Sequence, residues 1–420
     1  MPARSRQKGK AMQLKRLNRR EFGVGLVASA SLAAVQNVRG ANDRIRVAIV
    51  GNGRRALLKD VLAVREATNA EVAVVCEAWR QKREEGVARV KQETGKAPEE
   101  CVHFEDVLAR KDIDAVIIGT PDHTHSLMLR RAANAKKDVY VEKPLAMNMA
   151  ELIAGVDAAK RNGIVVQIGT QLRSSECPNR VREFVSAGGL GKLLKIEQSR
   201  NDYEPYWMSY GGPGFFQLKP RESDVDWKAF LMNAPQRPFD AVRYQNWYGF
   251  RDYSQGPHTN LMVHFIDLVH FITGAKHPKS VVAHGGTYRW KGPYNCPDSV
   301  EVALEYPEDF LVRYCSVFGS SANSYTKYIG TRGVIDFKGC SVSGEGSGEP
   351  DKILPGTELP QVSTVPHMQN FFECMRTRKP PIAPIEAGFS HGVAVIMADM
   401  AFVAGRRMVY DPVKRSIHAG

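Results

Sequence analysis

The fold of this chain is decided by the stretch Ile45-Arg-Val-Ala-Ile-Val50, which runs into Gly51-Asn52-Gly53-Arg54-Arg55-Ala56. The first six residues are mostly β-branched or apolar, as in a short buried strand, and a helix-compatible stretch follows the glycines. A strand, a glycine turn and a helix in this order are typical of a dinucleotide-binding unit, in which the backbone approaches the pyrophosphate. The predicted phosphate-binding loop consists of Gly51, Asn52, Gly53 and Arg54.

A carboxylate is predicted to face the ribose of the nucleotide. The second strand, 70–76, ends at Glu77, 24 residues after the second loop glycine. A carboxylate at this position hydrogen-bonds the ribose hydroxyl groups of NAD and repels the additional phosphate of NADP. Arg54, Arg55 and Arg80 lie close in sequence, and an arginine can receive that phosphate. The sequence therefore favours NAD, with Glu77 as a binding residue, and leaves NADP open.

Strands and helices continue to alternate up to about residue 170. Strand-like runs at 114–121, 138–144 and 164–169 are separated by helix-compatible stretches. This alternation predicts an α/β fold with a doubly wound parallel sheet that binds ligands at the carboxyl ends of its strands. The predicted cofactor contacts at these strand ends are Thr120, His125, Glu142 and Lys143.

The spacing of histidines and cysteines does not predict a metal site. His123 and His125 form an HxH pair, but no nearby set of carboxylates and cysteines completes a site, so packing or contact with the cofactor is favoured over metal binding. The seven cysteines contain no CxxC pair and have no regular spacing. The sequence therefore predicts neither a zinc site nor a disulfide scaffold.

From about residue 193 the pattern changes to short strands joined by brief links. Such runs lie at 193–199, 280–290, 299–306, 310–318 and 325–337. Several links are too short for a crossover helix, so these strands are predicted to be antiparallel neighbours. The prediction is a Rossmann domain in residues 41–170 and a substrate-binding α+β domain with an open, mainly antiparallel sheet in residues 171–420. Residues 203–257 form a long aromatic-rich insertion of the kind that is usually functional or interfacial.

Four motifs together resemble the Gfo/Idh/MocA family (glucose-fructose oxidoreductase, inositol dehydrogenase and MocA), and most closely its exported members. They are Gly51 to Ala56, Thr120-Pro121 with His125, Glu142-Lys143-Pro144, and His264-Phe-Ile-Asp267. The similarity extends over residues 44–415. It implies a Rossmann domain that binds NAD or NADP, a second domain that carries the substrate site, and a homo-oligomer, either a dimer or a tetramer. It also implies that the Lys143 and His264 side chains act on a hydroxyl group of a sugar or cyclitol, and that Pro144 follows a cis peptide bond.

The chemistry of alcohol oxidation agrees with these two residues. A secondary alcohol must lose a hydride from carbon and a proton from oxygen. A lysine ammonium stabilises the developing alkoxide, and a histidine can take the proton. Lys143 and His264 are therefore the catalytic candidates, although a solvated turn is the alternative interpretation of Lys143.

The residues around His264 supply the candidates for substrate binding. The run from Leu261 to Thr273 is typical of an apolar helix, and Asn260 before it either caps the helix or contacts the substrate. Many members of the family carry Asp in place of Asn260, and Asn cannot share a proton with His264. Sugar rings stack on aromatic faces, so Tyr248 is a candidate, with ordinary core packing as the alternative. Gln171 and Arg173 follow the last Rossmann strand and complete the predicted set.

The net charge of +13 is concentrated in the first forty residues. They hold +8, which leaves +5 for the other 380 residues and gives no indication of a nucleic-acid partner. The apolar run from Phe22 to Val35 is too short to span a membrane and is typical of a signal peptide. Arg19-Arg20 before it resembles the twin-arginine export signal. The sequence therefore predicts a signal peptide in residues 1–40, the twin-arginine export machinery as a partner, and a periplasmic or otherwise exported protein.

Three functions remain open on this sequence. The first is an exported NAD-dependent oxidoreductase acting on a secondary hydroxyl of a sugar, sugar derivative or cyclitol. The second is a redox-neutral enzyme that cleaves glycosides or epimerises sugars by transient oxidation, with a tightly bound cofactor recycled in place. The third is a nucleotide-loaded sugar-binding protein without turnover, against which the presence of both Lys143 and His264 argues.

Overall fold

The computed structural model describes residues 43–209 and 217–420. The predicted signal peptide, residues 1–40, lies outside the described residues. From Ile45 to Gly420 the chain forms one compact unit that contains two β-sheets.

The first sheet has six strands, all parallel, in the order β3-β2-β1-β4-β5-β6. Its strands are β1 (Ile45–Val50), β2 (Ala70–Cys76), β3 (Glu99–Cys101), β4 (Ala115–Ile118), β5 (Asp138–Val141) and β6 (Val166–Ile168). The helices that connect them are α1 (Leu57–Thr68), α2 (Arg80–Thr94), α3 (Phe104–Ala109), α4 (His125–Asn134) and α5 (Met149–Asn162). Strands β1, β4 and β5 are almost wholly buried, because helices cover both faces of the sheet. The predicted doubly wound α/β fold is confirmed.

Local chemistry sets the ends of these elements. The side chain of Asn148 accepts the backbone N–H of Glu151 at 2.9 Å and so caps the start of α5. At the other end, Gly163 has a φ of 63°, the left-handed conformation that ends many helices. The predicted run 164–169 is observed as the shorter strand β6.

The second sheet has nine strands in the order β13-β12-β11-β7-β10-β9-β8-β14-β15. They are β7 (Leu193–Ser199), β8 (Ser280–Gly286), β9 (Ser299–Glu305), β10 (Leu311–Val317), β11 (Tyr325–Gly330), β12 (Gly333–Asp336), β13 (Ser341–Ser343), β14 (Met408–Asp411) and β15 (Ser416–Ala419). Every pair is antiparallel except β7 with β10, so the mainly antiparallel sheet is confirmed. The run 325–337, predicted as one strand, is instead the hairpin of β11 and β12, since the chain reverses at Thr331 and Arg332.

The helices in this part of the chain are α6 (Glu176–Ser186), α7 (Tyr206–Ser209), α8 (Trp227–Leu231), α9 (Ala241–Gln245), α10 (Pro257–Asn260), α11 (Met262–Thr273), α12 (His367–Thr377) and α13 (Ile385–Ala404). Helices α11 and α13 pack directly on the core beneath the second sheet. Helix α12 packs elsewhere, in the core beside α1 and the first sheet. Part of the chain range predicted as the second domain thus supports the Rossmann sheet.

Among the described residues, one helix is long and apolar enough to cross a membrane. This is α13, with 20 residues and a mean hydropathy of 1.5. Most of it is buried against β8 and α11, and its Asp399 binds the Arg251 side chain at 2.8 Å. We therefore interpret α13 as the central core helix of the second half.

The aromatic-rich insertion crosses over to the first sheet. We call residues 218–254 the strap. Val225 in the strap forms a β-bridge with Trp79, and the Asp226 N–H donates to the Ala78 carbonyl oxygen at 2.9 Å. The Trp79 ring packs edge-on against Tyr244, with ring centres 5.7 Å apart. The strap therefore lies beside the carboxyl end of β2.

One cysteine pair is joined by a disulfide. Cys177 in α6 is bonded to Cys340 in the turn between β12 and β13, with Cα atoms 5.7 Å apart. The remaining described cysteines are free thiols. No local pattern indicated this bond, because the two residues are 163 positions apart.

Candidate active site

Two glycines shape the loop between β1 and α1. Gly51 has a φ of 85°, a conformation that favours glycine, and a Cβ there would lie 2.9 Å from the Gly119 carbonyl oxygen. A Cβ on Gly53 would meet no atom within 4 Å. Both glycines line a cavity of about 750 Å³, together with Arg54. The loop therefore brings its backbone directly to the edge of a large cavity.

Glu77 lies in the wall of the same cavity, at the carboxyl end of β2. Its carboxylate accepts the backbone N–H groups of Asn52 at 2.7 Å and Trp79 at 2.9 Å, and the Tyr244 hydroxyl lies 3.5 Å away. Burial raises the pKa of Glu77, and these hydrogen bonds counter that rise. Asn52 does not line the cavity, because its side chain donates to the Lys82 carbonyl oxygen. The backbone N–H of Asn52, which is not part of the cavity lining, thus holds the Glu77 carboxylate in place.

Two of the arginines that left NADP open are paired with carboxylates. Arg55 donates to Glu142 at 2.8 Å, and Arg80 is bonded to Asp224 in the strap. Arg54 lies at the cavity with its guanidinium 5.8 Å from the centre of the Tyr248 ring. This arrangement favours a nucleotide without the additional phosphate beside Glu77.

The loop after β4 carries Thr120 and His125, which both line the cavity. The Thr120 hydroxyl lies 2.7 Å from that of Thr124. The two His125 ring nitrogens lie 2.8 Å from the carbonyl oxygens of Pro144 and Thr120. His125 therefore connects the loops after β4 and β5. His123 faces the Phe230 carbonyl oxygen of the strap, so neither ring of the HxH pair is arranged around a metal site.

Glu142 ends β5 and is packed directly against Gly169. A Cβ on Gly169 would come within 2.6 Å of all three carboxyl atoms of Glu142, so this strand end requires glycine. Burial raises the pKa of Glu142, while Arg55 and Lys143 oppose the rise. Glu142 thus anchors Arg55 at the cavity wall.

Lys143 lines the cavity where the two halves of the molecule meet. Its Nζ donates to the backbone oxygen of Asn260 at 2.8 Å and to Oδ1 of the same residue at 3.0 Å. The peptide bond to Pro144 is cis, as the family resemblance implied. Burial lowers the pKa of Lys143 to about 8, against the opposing effect of Asp122 and Glu142. Lys143 is therefore a buried amine that can change charge near neutral pH.

His264 lies on α11 and lines the same cavity. Burial lowers the pKa of His264 well below its ordinary value, and the nearby Lys143 and Arg200 lower it further. Its Nδ1 is buried and has no hydrogen-bond partner within residues 43–209 and 217–420. The imidazole is therefore neutral and can accept a proton.

The four predicted substrate residues are divided between the cavity and the interior. Gln171 and Tyr248 line the cavity. Arg173 does not, because its guanidinium is buried and bonded to both carboxylate oxygens of Asp267, at 2.7 and 2.9 Å. Asn260 lies behind Lys143. It does not cap α11, since it ends the short helix α10 and Leu261 intervenes.

Sequence reasoning missed several residues at this site. Asp122, which is buried, lies in the Thr120-Pro121-Asp122 loop between two predicted residues. Arg200 follows the end of β7 and lines the cavity. The strap supplies much of one cavity wall. Its lining residues are Asp226, Lys228, Ala229, Phe230, Met232, Asn233, Gln236, Tyr244, Trp247 and Tyr248. The available signal for Arg200 was a charged residue directly after β7, and the signal for Asp122 was a carboxylate in the loop that follows β4.

Two family models match this chain. Residues 45–170 match GFO_IDH_MocA, described as an oxidoreductase family with an NAD-binding Rossmann fold. Residues 232–406 match the C-terminal α/β domain of the same oxidoreductase family.

Individual relatives match over shorter stretches. The scyllo-inositol 2-dehydrogenase (NAD⁺) of Bacillus subtilis is 36% identical over 89 residues, which are 21% of this chain and 26% of that protein. The 2,7-anhydro-N-acetylneuraminate hydratase of Escherichia coli is 24% identical over 244 residues, 56% of this chain and 55% of that protein. The chain thus spans less than two thirds of the length of either relative.

A solved structure matches over most of the chain. The WlbA dehydrogenase from Bordetella pertussis, in complex with NADH and UDP-GlcNAcA, is 17% identical, and the match covers 88% of this chain and 99% of that one, with a TM-score of 0.64. At this identity the match establishes a common fold.

Proposed function

The chain belongs to the Gfo/Idh/MocA oxidoreductase family, and from this premise we propose that it transfers a hydride between NAD and a secondary hydroxyl group of a sugar, a sugar derivative or a cyclitol. The observation that carries the proposal is that Lys143 and His264 line one cavity with the Gly51 turn and Glu77. A proton acceptor and a buried amine thus lie beside a nucleotide-binding loop.

The residues of the cavity fit a dinucleotide. Gly53 leaves open space where any other residue would place a side chain, so phosphate can approach the backbone. The start of α1 provides the positive end of a helix dipole behind this loop. Glu77 would hold the ribose hydroxyl groups, and Thr120 and Lys143 would flank the nicotinamide end. Bound nicotinamide supplies the acceptor or donor of the hydride.

Lys143 and His264 have different roles at the substrate oxygen. With a pKa of about 8, Lys143 is largely protonated at neutral pH, and its ammonium stabilises negative charge on that oxygen. The neutral imidazole of His264 takes the proton of the hydroxyl group, and the hydride leaves the carbon that bears this group. The Oε1 atom of Gln171 is buried and lacks a partner within the described part of the chain. It can therefore accept a hydrogen bond from a second substrate hydroxyl. Tyr248 offers an aromatic face to the sugar ring.

A redox-neutral reaction is the second candidate. In it, transient oxidation acidifies a neighbouring C–H bond, water or a leaving group is added or lost, and the hydride then returns to the substrate. The matched hydratase supports it, since hydration involves no net oxidation. Because the hydride returns to the substrate in this reaction, the cofactor can stay bound to the protein throughout.

The strap supports tight retention of the cofactor. Phe230, Tyr244 and their strap neighbours form a cavity wall beside Glu77, and the Phe230 and Tyr244 rings pack 4.8 Å apart. His123 of the first half is joined to the Phe230 carbonyl group. We propose that this packed wall slows the release of a dinucleotide.

Export through the twin-arginine pathway remains part of the proposal. The basic segment before Phe22 supports it, as does the disulfide between Cys177 and Cys340, because such bonds persist mainly in oxidising compartments. The test is fractionation of cells that carry the wild-type chain or the Arg19→Lys, Arg20→Lys double variant. Export of the double variant at the wild-type level would refute the proposal.

We also propose a homo-oligomer, a dimer or a tetramer. Val282, Leu311 and Val317 are exposed apolar side chains on one face of β8 and β10. An apolar patch on an open sheet favours association. Light scattering during size-exclusion chromatography measures the mass directly, and a monomer at micromolar concentration would refute this part.

The first experiment identifies the cofactor. Purified protein is denatured, and the released small molecules are analysed by mass spectrometry. NAD at about one equivalent per chain supports tight binding. NADP in its place would refute the role given to Glu77.

The second experiment tests the chemistry. The protein is incubated with a panel of sugars, glycosides and cyclitols in D₂O, and both NADH formation and products without net NADH are followed. Lys143→Met and His264→Gln are expected to lose at least about 100-fold in kcat, since each removes a group that acts in the transition state. The matched control is Lys137→Met. Lys137 is a buried lysine before β5 that donates to the Arg110 and Ile113 carbonyl oxygens, away from the cavity. Equal losses in Lys143→Met and Lys137→Met would contradict the catalytic role.

A further inference from the structure

A line of hydrogen bonds leads from Lys143 into the protein interior. Behind the Lys143 ammonium, the Asn260 Nδ2 donates to the two carboxylate oxygens of Asp122, at 3.2 and 3.1 Å. The Ser254 hydroxyl donates to the same carboxylate at 2.7 Å. All four side chains are buried. The line joins the loops after β4 and β5 to helix α10 of the second half.

Asp122 determines which way the Asn260 amide faces. An amide has a donor end and an acceptor end, whereas an ionised carboxylate only accepts hydrogen bonds and an ammonium only donates. With its NH₂ end on Asp122, the amide must turn its oxygen towards Lys143, as observed. The reversed amide would set donor against donor and acceptor against acceptor. Asp122 therefore fixes the acceptor that holds the Lys143 ammonium.

Asp122 also supplies charge. Asn260 is neutral and cannot balance a buried ammonium. The charged groups that act on Lys143 are Asp122, Glu142, Arg55 and Arg200, and Glu142 is already bonded to Arg55. His264, the other titratable group at this end of the cavity, is uncharged. Burial raises the pKa of Asp122, but the neighbouring His125 and Lys143 oppose that rise and favour its ionised form.

We propose that Asp122 is a positioning residue that acts through the Asn260 amide to orient the Lys143 ammonium and to keep it charged. This inference rests on the proposed function in that Lys143 acts on the substrate hydroxyl. Asp122 also lines the cavity, and the role proposed for it is to govern the charge state and direction of the Lys143 ammonium.

The principal variant is Asp122→Asn. It keeps the size of the side chain and an oxygen for Asn260, but it removes the negative charge. The midpoint of the alkaline limb of kcat is expected to move down by about one pH unit, since an opposite charge nearby shifts a pKa by one to three units. At pH 6.5, where Lys143 stays protonated, the loss in kcat should be smaller than at pH 8.

The control is Asp138→Asn. Asp138 is a buried carboxylate at the start of β5, bonded to Arg378 and to the Val165 N–H, at the opposite end of the sheet. This variant should lose stability without moving the midpoint. A merely structural role for Asp122 predicts the same behaviour for Asp122→Asn.

The double variant Asp122→Asn, Asn260→Asp exchanges the amide and the carboxylate. The carboxylate at position 260 then accepts a hydrogen bond from the Lys143 ammonium directly, and the amide lies at position 122. The midpoint should therefore return to the wild-type value or above. A folded double variant that keeps the lowered midpoint overturns the inference.

A readout independent of turnover separates this inference from the proposed function. Lysine labelled with ¹³C at Cε is incorporated, the Lys143 signal is assigned by its loss in Lys143→Met, and its chemical shift is followed against pH by NMR. A lower midpoint in folded Asp122→Asn supports the inference even if no substrate turns over, in which case the proposed function alone fails. A midpoint within about 0.3 units of wild type in this titration overturns the inference, because a nearby charge should move it by a unit or more.

Discussion

Replacing Arg173 by methionine is expected to destabilise the protein without changing substrate binding. The Arg173 guanidinium makes two bonds to the buried Asp267 carboxylate and one to the Ile382 carbonyl oxygen at 3.0 Å. Removing one partner of a buried ion pair costs about 3 to 5 kcal/mol. His391 would still bond Asp267 at 2.9 Å, so the lower end, about 3 kcal/mol, is expected.

The loss is measured by urea unfolding, and about 3 kcal/mol corresponds to a fall in Tm of roughly 4 °C for a folded chain of this length. KM for the substrate should stay within about twofold below the unfolding range, since no substrate contact is lost. Arg313→Met is the control, because the Arg313 pair with Glu301 is exposed and such pairs contribute about 0 to 1 kcal/mol. The double variant Arg173→Met, Asp267→Leu removes both charges and should recover part of the loss.

The ion pair between Arg173 and Asp267 also predicts how the loss of stability in Arg173→Met depends on pH. Burial alone would raise the pKa of Asp267, but Arg173 and His391 bring it well below its ordinary value. Its stabilising contribution is therefore fully present above the unfolded carboxyl pKa, near 3.9, and declines as pH falls towards the native pKa. The cost of Arg173→Met should accordingly shrink below about pH 4. A large rise in KM at unchanged stability would refute this reasoning and return Arg173 to the substrate site.

Three further predictions concern the cavity. Turnover should fall as pH rises through about 8, where Lys143 loses its proton, and in Lys143→Arg any residual kcat should show no such limb in a pH profile. Gly169→Ala should cost about 1 to 3 kcal/mol in urea unfolding, since its Cβ meets the Glu142 carboxyl group, whereas Gly348→Ala, with no atom within 4 Å, should cost little. Glu77→Ala should weaken NAD binding by about 10- to 100-fold in calorimetry and reduce discrimination against NADP, because charged hydrogen bonds contribute about 1.5 to 3 kcal/mol.

Features encoded in a short stretch of chain could be predicted from the sequence. The strand, turn and helix around Gly51 follow from composition and glycine placement within a dozen residues. The bounds of α5, Met149–Asn162, follow from a capping asparagine and a terminal glycine. Glu77 could be identified because it follows a buried strand, and strand ends of a parallel sheet share one edge. Lys143 could be identified because the Glu142-Lys143-Pro144 motif resembles that of the family.

Features that depend on distant partners could not be predicted in this way. Arg173 follows a strand, as predicted, but a short 3₁₀ turn carries its side chain to Asp267 on α11. Asn260 meets Lys143 from 117 positions away, which no local pattern encodes. The strap was visible as an unusual insertion, but its docking on Trp79 depends on tertiary packing of aromatic rings.

The strap also bears on the order in which the molecule assembles. Paired residues are 25 positions apart between β1 and β2, as Ile45 and Ala70 are, and 68 apart between β1 and β4, as Val47 and Ala115 are. Tyr244 in the strap and Glu77 are 167 positions apart. Contacts between distant positions carry a larger loop-closure entropy and form slowly. The part of the cavity wall that the first sheet supplies would therefore form before the strap docks beside Glu77. A dinucleotide bound at that stage would be enclosed as the strap docks, and cofactor loading would then be a step in the maturation of the chain.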